Sequence, residues 1–297
     1  MVKRYTDAEI DDMAAFYEAH GAVKLPGLIE PEWVEKILAT IDETAARADD
    51  PALKGHDLSF GRAEGRMTIR YMWREVPMVR EFLLRPDLAE PIARIVGTKT
   101  LHFWFDLTFM HNGATQGDAG AGTPWHHDVA AFTFKGMQLP SLWMAMTPAD
   151  ANRSRLKFID GSHKTVPGYY RTPDNKPPAD GSNDGFLELP DFDAIVARGE
   201  EKILTWDCAP GDAIIIHPFT VHGADGNKGG DARSGNAAGR RVAITTRWLG
   251  DDVRFLPTSF AASQRGVGIA ESGLALGSKP RGEYFPLVWD ETASATR

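Results

Sequence analysis

A single cysteine, Cys208, stands in 297 residues. One thiol closes no internal disulfide, so the fold is not a disulfide scaffold and nothing points to an oxidising compartment. In the run Trp206-Asp207-Cys208-Ala209 it reads as a small filler near a strand end. Long apolar runs are missing too. No window approaches the ~20 residues that span a bilayer. The opening Met-Val-Lys-Arg-Tyr-Thr-Asp has no apolar stretch behind its charges, so no signal peptide is evident. Positive charge is in deficit, with 33 Lys and Arg against 41 Asp and Glu and a net charge of −8. A nucleic-acid binder needs the opposite balance on at least one face. These absences predict a soluble cytoplasmic protein with neither a nucleic-acid nor a membrane partner.

What is present fits one globular unit. Residues are 42% hydrophobic and 25% charged, ordinary for a domain with one core. We expect a single domain over 1–297, with a mostly helical prefix (1–100), a β core (101–257) and a C-terminal extension (258–297). Thr6 and Glu9 have capping-box spacing, and Ile10, Met13, Ala14 and Tyr17 follow at helical intervals up to a stop at Gly21. Val23–Leu25 is a short strand candidate. A second helix is expected from Glu32 to about Arg47, a loop over 48–66, and a third helical region from Met78 to Val96, broken near Pro86.

From Leu101 onward, short apolar runs alternate with Gly, Pro, Asn and Asp clusters. The strand candidates are Leu101–Met110, Val129–Phe134, Ser141–Met146, Arg155–Ile159, Ile203–Trp206, Ala213–His217 and Val242–Trp248. Many short strands between turn signals indicate a sandwich or barrel, with the helices packed on one sheet. Two long loops interrupt it. Residues 162–188 are rich in Pro-Gly and Asp-Gly turns and are a candidate lid. Residues 223–240 carry six glycines and read as mobile.

The chemistry concentrates in Thr123-Pro124-Trp125-His126-His127-Asp128. Residues i and i+2 of a strand share a face, so His126 and Asp128 can converge on one ion. A third ligand has two candidates downstream, His217 and His222, in Gly211-Asp212-Ala213-Ile214-Ile215-Ile216-His217-Pro218-Phe219-Thr220-Val221-His222-Gly223. Two histidines and one carboxylate form the facial triad of non-haem iron(II) oxygenases, which leaves open positions on the metal. Further on, Arg240-Arg241-Val242-Ala243-Ile244-Thr245-Thr246-Arg247-Trp248 is an apolar strand opening with arginine. A guanidinium grips a carboxylate by two parallel hydrogen bonds, and 2-oxoglutarate presents such a carboxylate.

Four segments together resemble the phytanoyl-CoA dioxygenase-like family of iron(II)/2-oxoglutarate oxygenases. They are Thr123–Asp128, Leu142–Met146 with the turn Gly161-Ser162-His163-Lys164, Gly211–Gly223, and Arg240–Trp248. The resemblance runs from about His20 to about Pro257. It implies a double-stranded β-helix, a cupin-like jelly-roll, over the β core. It implies His126, Asp128 and His222 as iron ligands, Arg241 as the clamp on 2-oxoglutarate, and Thr123 and Trp143 as cosubstrate-pocket residues. The implied reaction consumes O2 and 2-oxoglutarate, releases succinate and CO2, and oxidises a small organic molecule or natural-product intermediate, most simply by hydroxylation. Asp128 is present where related halogenases lack the carboxylate.

The chain also departs from the family pattern. His111 stands where a lysine is common, and Ala151-Asn152-Arg153-Ser154 replaces Glu-Asn-Gly. The long spacer after His222 leaves Arg240 as a rival to Arg241, which the register of Val242–Thr245 favours. Two other functions stay open, a cupin-like oxygenase that does not use 2-oxoglutarate and a ligand-binding relative without turnover. Other residues have structural readings. His127 should face away from the metal, His163 should order its turn, and Phe103, Phe105 and Phe109 should share one core-facing strand side. Arg70 and Arg74 are read as solvated or paired.

Overall fold

The computed structural model describes residues 2–53, 56–63, 65–112, 122–172, 175–179, 181–227, 239–258, 260, 261, 266 and 268–294. The capping box expected at Thr6 opens α1 (Asp7–His20). The Thr6 hydroxyl accepts from the Glu9 amide, and the Glu9 carboxylate accepts from the Thr6 amide. Gly21 ends the helix at φ 78°, a left-handed conformation that costs glycine little. β1 (Ala22–Leu25) and α2 (Pro31–Ala46) follow. The expected loop over 48–66 instead contains a 3-10 turn at Pro51–Leu53 and β2 (Ser59–Ala63), which hairpins onto β3 (Arg66–Arg70). Polar residues and Gly61 interrupt the apolar pattern of this sheet-edge hairpin, so no strand signal stood out. α3 (Met72–Glu75), α4 (Pro77–Leu83) and α5 (Pro86–Val96) complete the prefix. Pro77 and Pro86 each sit in a first helical turn, where a missing N–H costs nothing.

The β region continues with β4 (Thr100–Asn112), β5 (Thr123–His126), β6 (Phe134–Lys135), β7 (Ser141–Ala145) and β8 (Leu156–Ile159). Next come β9 (Tyr169–Tyr170), β10 (Phe186–Leu187), α6 (Phe192–Ala197), β11 (Ile203–Thr205), β12 (Ala213–Ile216) and β13 (His222–Ala224). β14 (Arg240–Leu249), β15 (Arg254–Phe255) and β16 (Leu287–Asp290) close the series. The strand expected over Val129–Phe134 is mostly a 3-10 turn, Asp128–Ala131. Its backbone is held by the buried Lys135, whose ammonium donates to the Val129 and Phe132 carbonyls. The C-terminal extension also contributes to the sheet, because β16 pairs with β4.

The core is a double-stranded β-helix. A large sheet runs β1-β12-β7-β14-β4-β3-β2, with β16 also on β4, and a small sheet runs β11-β8-β13-β5. Strand alternation divides the large sheet's side chains between two cores. Leu142, Met144, Ile215, Val242 and Ile244 pack with helical residues such as Ile37, Ile41, Phe82 and Ile92. Trp143, Ala145, Ile214, Ile216 and Ala243 pack with Leu156, Phe158 and Ala224 of the small sheet. The helices therefore cover one face of the large sheet, and the small sheet covers the other.

Phe103, Phe105 and Phe109 do not share one face. A bulge between Arg247 and Trp248 shifts the β14–β4 register, so Arg247 pairs with Phe105 but Trp248 with Phe103. Phe103 joins the helix-side core against Trp73 and Trp248. Phe105 packs near Trp104, and Phe109 borders the cavity described below.

Asp106, fully buried on β4, ties this sheet to the prefix. Its carboxylate accepts from the Met72 and Trp73 amides at 3.1 and 3.0 Å, at the start of α3. Burial pushes its pKa up to about 7. The unfolded carboxyl titrates near ~3.9. The folded state thus binds the extra proton between these values, and the associated stability is full below pH ~4 and lost as pH rises through about 7. Asp106→Asn removes this titration. The unfolding free energy of wild type relative to the variant should fall between pH ~4 and ~7 in denaturant titrations. Parallel pH profiles would refute the buried-carboxyl assignment.

Candidate metal centre

The register of two short strands builds the centre. β5 and β13 are antiparallel neighbours, and His126 lies directly opposite His222. Their rings come within 4.3 Å, centroid to centroid. Asp128 follows two residues after His126, where the strand gives way to the 3-10 turn. One ligand atom from each of the three residues lies within 4.8 Å of the others. Asp128 Oδ1 is 3.8 Å from His126 Nε2 and 4.0 Å from His222 Nε2.

Both imidazoles are oriented by their own backbone. His126 Nδ1 donates to the Pro124 carbonyl at 2.8 Å, and His222 Nδ1 donates to the Thr220 carbonyl at 2.9 Å. A carbonyl can only accept, so each Nδ1 carries the proton and each Nε2 offers a lone pair to the centre. Burial and the neighbouring His126 push His222 down to about 4, which keeps it neutral near pH ~7. Burial alone would raise Asp128, but Arg247 and the two histidines outweigh it and hold the carboxyl below its ordinary range. Two imidazoles and one carboxylate are the donor set that suits a divalent transition metal.

All six residues singled out from the sequence border one cavity of about 80 Å³ between the sheets: His126, Asp128, His222, Arg241, Thr123 and Trp143. Arg241 is 3% exposed, and among the described residues its one hydrogen bond is to the Ser154 carbonyl, at 3.2 Å. Its Nε has no partner among the described residues, and its guanidinium stands 5.8 Å from the Trp143 ring centre. Burial and the nearby Arg66 push its pKa down to about 10, so it remains charged. A buried cation with no acid beside it is costly unless an anion joins it. Arg240, one residue earlier, points the other way and pairs with Asp42 of α2. Of the two arginines, Arg241 is the one that borders the cavity. His111 borders the same cavity, with Nδ1 3.2 Å from the Ser154 hydroxyl.

The other histidines lie outside the cluster. His217 accepts from the Phe219 amide and packs against Tyr17 and His163. His163 donates to the Glu18 carbonyl, fixing its turn to α1. His127 is fully buried and accepts from the Tyr170 amide at 2.8 Å, so it joins the candidate-lid strand β9 to the metal strand. Of the glycine-rich loop, residues 228–238 lie outside the described residues. Sequence reasoning assigned no role to Arg247, which forms an ion pair with Asp128 at 2.9 Å. Strand alternation was the available signal, because Arg241, Thr245 and Arg247 share the inner side of β14 and all border the cavity.

The fold and this cluster define a double-stranded β-helix protein with a His-x-Asp…His centre. The sequence model of the phytanoyl-CoA dioxygenase (PhyH) family matches residues 17–235, and the chain belongs to that family. A probable phytanoyl-CoA dioxygenase of Caenorhabditis elegans is 21% identical over 249 residues, 80% of this chain and 74% of that protein. Among solved structures, the epimerase SnoN in complex with Fe3+, α-ketoglutarate and nogalamycin RO superposes with a TM-score of 0.71 at 21% identity. That match covers 95% of this chain and all of SnoN. EctD from S. alaskensis with 2-oxoglutarate and 5-hydroxyectoine superposes with a TM-score of 0.61 at 15% identity, over 94% of this chain and 91% of EctD. At these identities the superpositions establish the shared fold.

The two histidine candidates separate experimentally. In anaerobic titration with cobalt(II), followed by its visible bands, His222→Ala should weaken binding by more than the about 100-fold that outer-sphere changes cost. His217→Ala should bind like wild type. Equal losses in both variants would contradict the placement of His222 at the centre.

Proposed function

We propose that the protein is an iron(II)- and 2-oxoglutarate-dependent dioxygenase that oxidises an unactivated C–H bond of a small organic molecule or natural-product intermediate. One observation carries this reading. The two Nε2 atoms and the Asp128 carboxylate converge in the same cavity as a buried arginine that has no acidic partner among the described residues. His126, Asp128 and His222 would hold iron(II). Arg241 would bind the distal carboxylate of 2-oxoglutarate, with Trp143 beside its guanidinium and Thr123 on the opposite sheet completing the pocket. Iron(II) held there would, with O2 and 2-oxoglutarate, supply the oxidising power, succinate and CO2 being the coproducts. The protein's own part is to orient two imidazoles, balance the cosubstrate's charge and exclude water behind two sheets.

A cupin-like centre without the cosubstrate would leave Arg241 buried with no anion to compensate it, and for that reason it is the weaker reading. The cytoplasmic placement rests on the single cysteine, which gives no sign of an oxidising compartment. Among the described residues, no helix is long and apolar enough to cross a membrane.

Succinate formation tests the reading without knowledge of the substrate. Protein incubated with iron(II), 2-oxoglutarate, ascorbate and O2 should form succinate slowly, and His126→Ala should abolish it. Arg241→Ala should raise half-saturation by 2-oxoglutarate about 10- to 100-fold, the worth of a hydrogen bond to a charged group, with turnover recovered at high concentration. Folded, iron-loaded protein that forms neither succinate nor a coloured anaerobic complex with 2-oxoglutarate would refute the proposal.

A further inference from the structure

Asp128 has two oxygens, and the structure uses them differently. Oδ1 faces the Nε2 atoms of His126 and His222. Oδ2 is already engaged twice, accepting from the Ser141 hydroxyl at 2.9 Å and from the Arg247 guanidinium at 2.9 Å. A charge-assisted hydrogen bond is roughly twice as strong as a neutral one, so this oxygen is firmly held. Arg247 has little freedom of its own. Its Nη1 donates to the Thr245 hydroxyl and the Thr246 carbonyl, and its guanidinium lies 5.3 Å from the Phe132 ring centre and 5.8 Å from that of Phe105. Ser141 is 1% exposed and does not border the cavity, so it reaches the centre only through Asp128.

We propose that Arg247 and Ser141 are positioning residues that reserve Oδ2 and so restrict Asp128 to a single-oxygen ligand. The inference rests on the iron/2-oxoglutarate reading above and assigns these two side chains a purpose within it. An unrestrained carboxylate can bind a metal through both oxygens. The second oxygen would then occupy a position that the facial triad must leave open for the chelating cosubstrate. The pair therefore protects cosubstrate binding rather than metal binding. Its disruption should weaken 2-oxoglutarate binding more than it weakens metal binding.

The test separates the two affinities. Iron(II) is titrated anaerobically into wild type, Arg247→Leu, Arg247→Lys and Ser141→Ala, and 2-oxoglutarate is then titrated into each loaded protein while the coloured complex is monitored. Thermal melts check that each variant is folded. In Arg247→Leu the 2-oxoglutarate dissociation constant should rise by about 10- to 100-fold, with a smaller rise in Ser141→Ala. In both variants the iron affinity should change less than the 2-oxoglutarate affinity. Arg247→Lys, which keeps a charged donor, should recover part of the loss. Because Arg247 itself borders the cavity, Ser141→Ala is the decisive variant, and it decides alone if Arg247→Leu does not fold. Wild-type 2-oxoglutarate affinity in Ser141→Ala would overturn the inference. An iron affinity that falls as steeply as the 2-oxoglutarate affinity would also overturn it, since the pair would then merely hold the ligand in place. If wild type binds iron and forms the coloured complex while the variants match it, only this inference fails. If wild type binds neither, the functional reading fails and takes the inference with it.

Discussion

The centre depends on a single antiparallel register. β5 and β13 could bring two histidines to one point only if His126 and His222 lie opposite each other, and they do. A slip of one residue would turn one imidazole to the far face of the sheet. Both sides of the small sheet hold this register. β8 pairs with β13 on the other flank, placing Phe158 against His222. Leu156 and Phe158 then pack into the inner core with Trp143 and Ile214 of the large sheet. The metal geometry is thus secured by apolar burial between two sheets rather than by the ligands themselves.

The cavity is also an electrostatic design. Arg241 and Arg247 are both buried along its β14 wall, and among the described residues Asp128 is the one carboxylate that lines it. Arg247 is compensated by Asp128, whereas Arg241 has no acidic partner among the described residues. Burying a guanidinium costs several kcal/mol, so the fold carries an expense that an incoming anion relieves. His111 and His222 do not relieve it, because burial keeps both neutral near pH ~7 and a protonated imidazole would only add positive charge. The cavity therefore presents guanidinium charge at one end and a cluster of metal-ligand atoms at the other.

Most of the architecture was readable because its signals are local. The capping box at Thr6, the stop at Gly21 and the strand alternation of β7, β12 and β14 each depend on a few neighbouring residues. His126 and Asp128 were visible as a spaced pair, but the choice of His222 over His217 needed the family resemblance. What escaped depends on distant partners. The edge hairpin of β2 and β3 has no apolar run of its own, and the bulge at Arg247 and Trp248, which separates Phe103 from Phe105, is set by the opposing strand. Val129–Phe134 has a strand-like composition, yet the ammonium of Lys135 binds its carbonyls into a turn. Arg247 looked like any charged strand residue until the fold placed it beside Asp128.

The order in which the sheet's neighbours appear along the chain has a consequence for biosynthesis. β1 waits for β12 at residues 213–216, β4 waits for β14 at 240–249, and the remaining edge of β4 near Leu101 is covered only by β16 at 287–290. A ribosome adding about 5–20 residues per second leaves the N-terminal strand without its partner for roughly ten seconds or more. The β2–β3–β4 edge can pair early, but β1 and the central strands cannot join the sheet until residue 249 has emerged. Folding is therefore a late event, and α1 through α5 spend that interval with the face that will cover the sheet open to solvent and to chaperones.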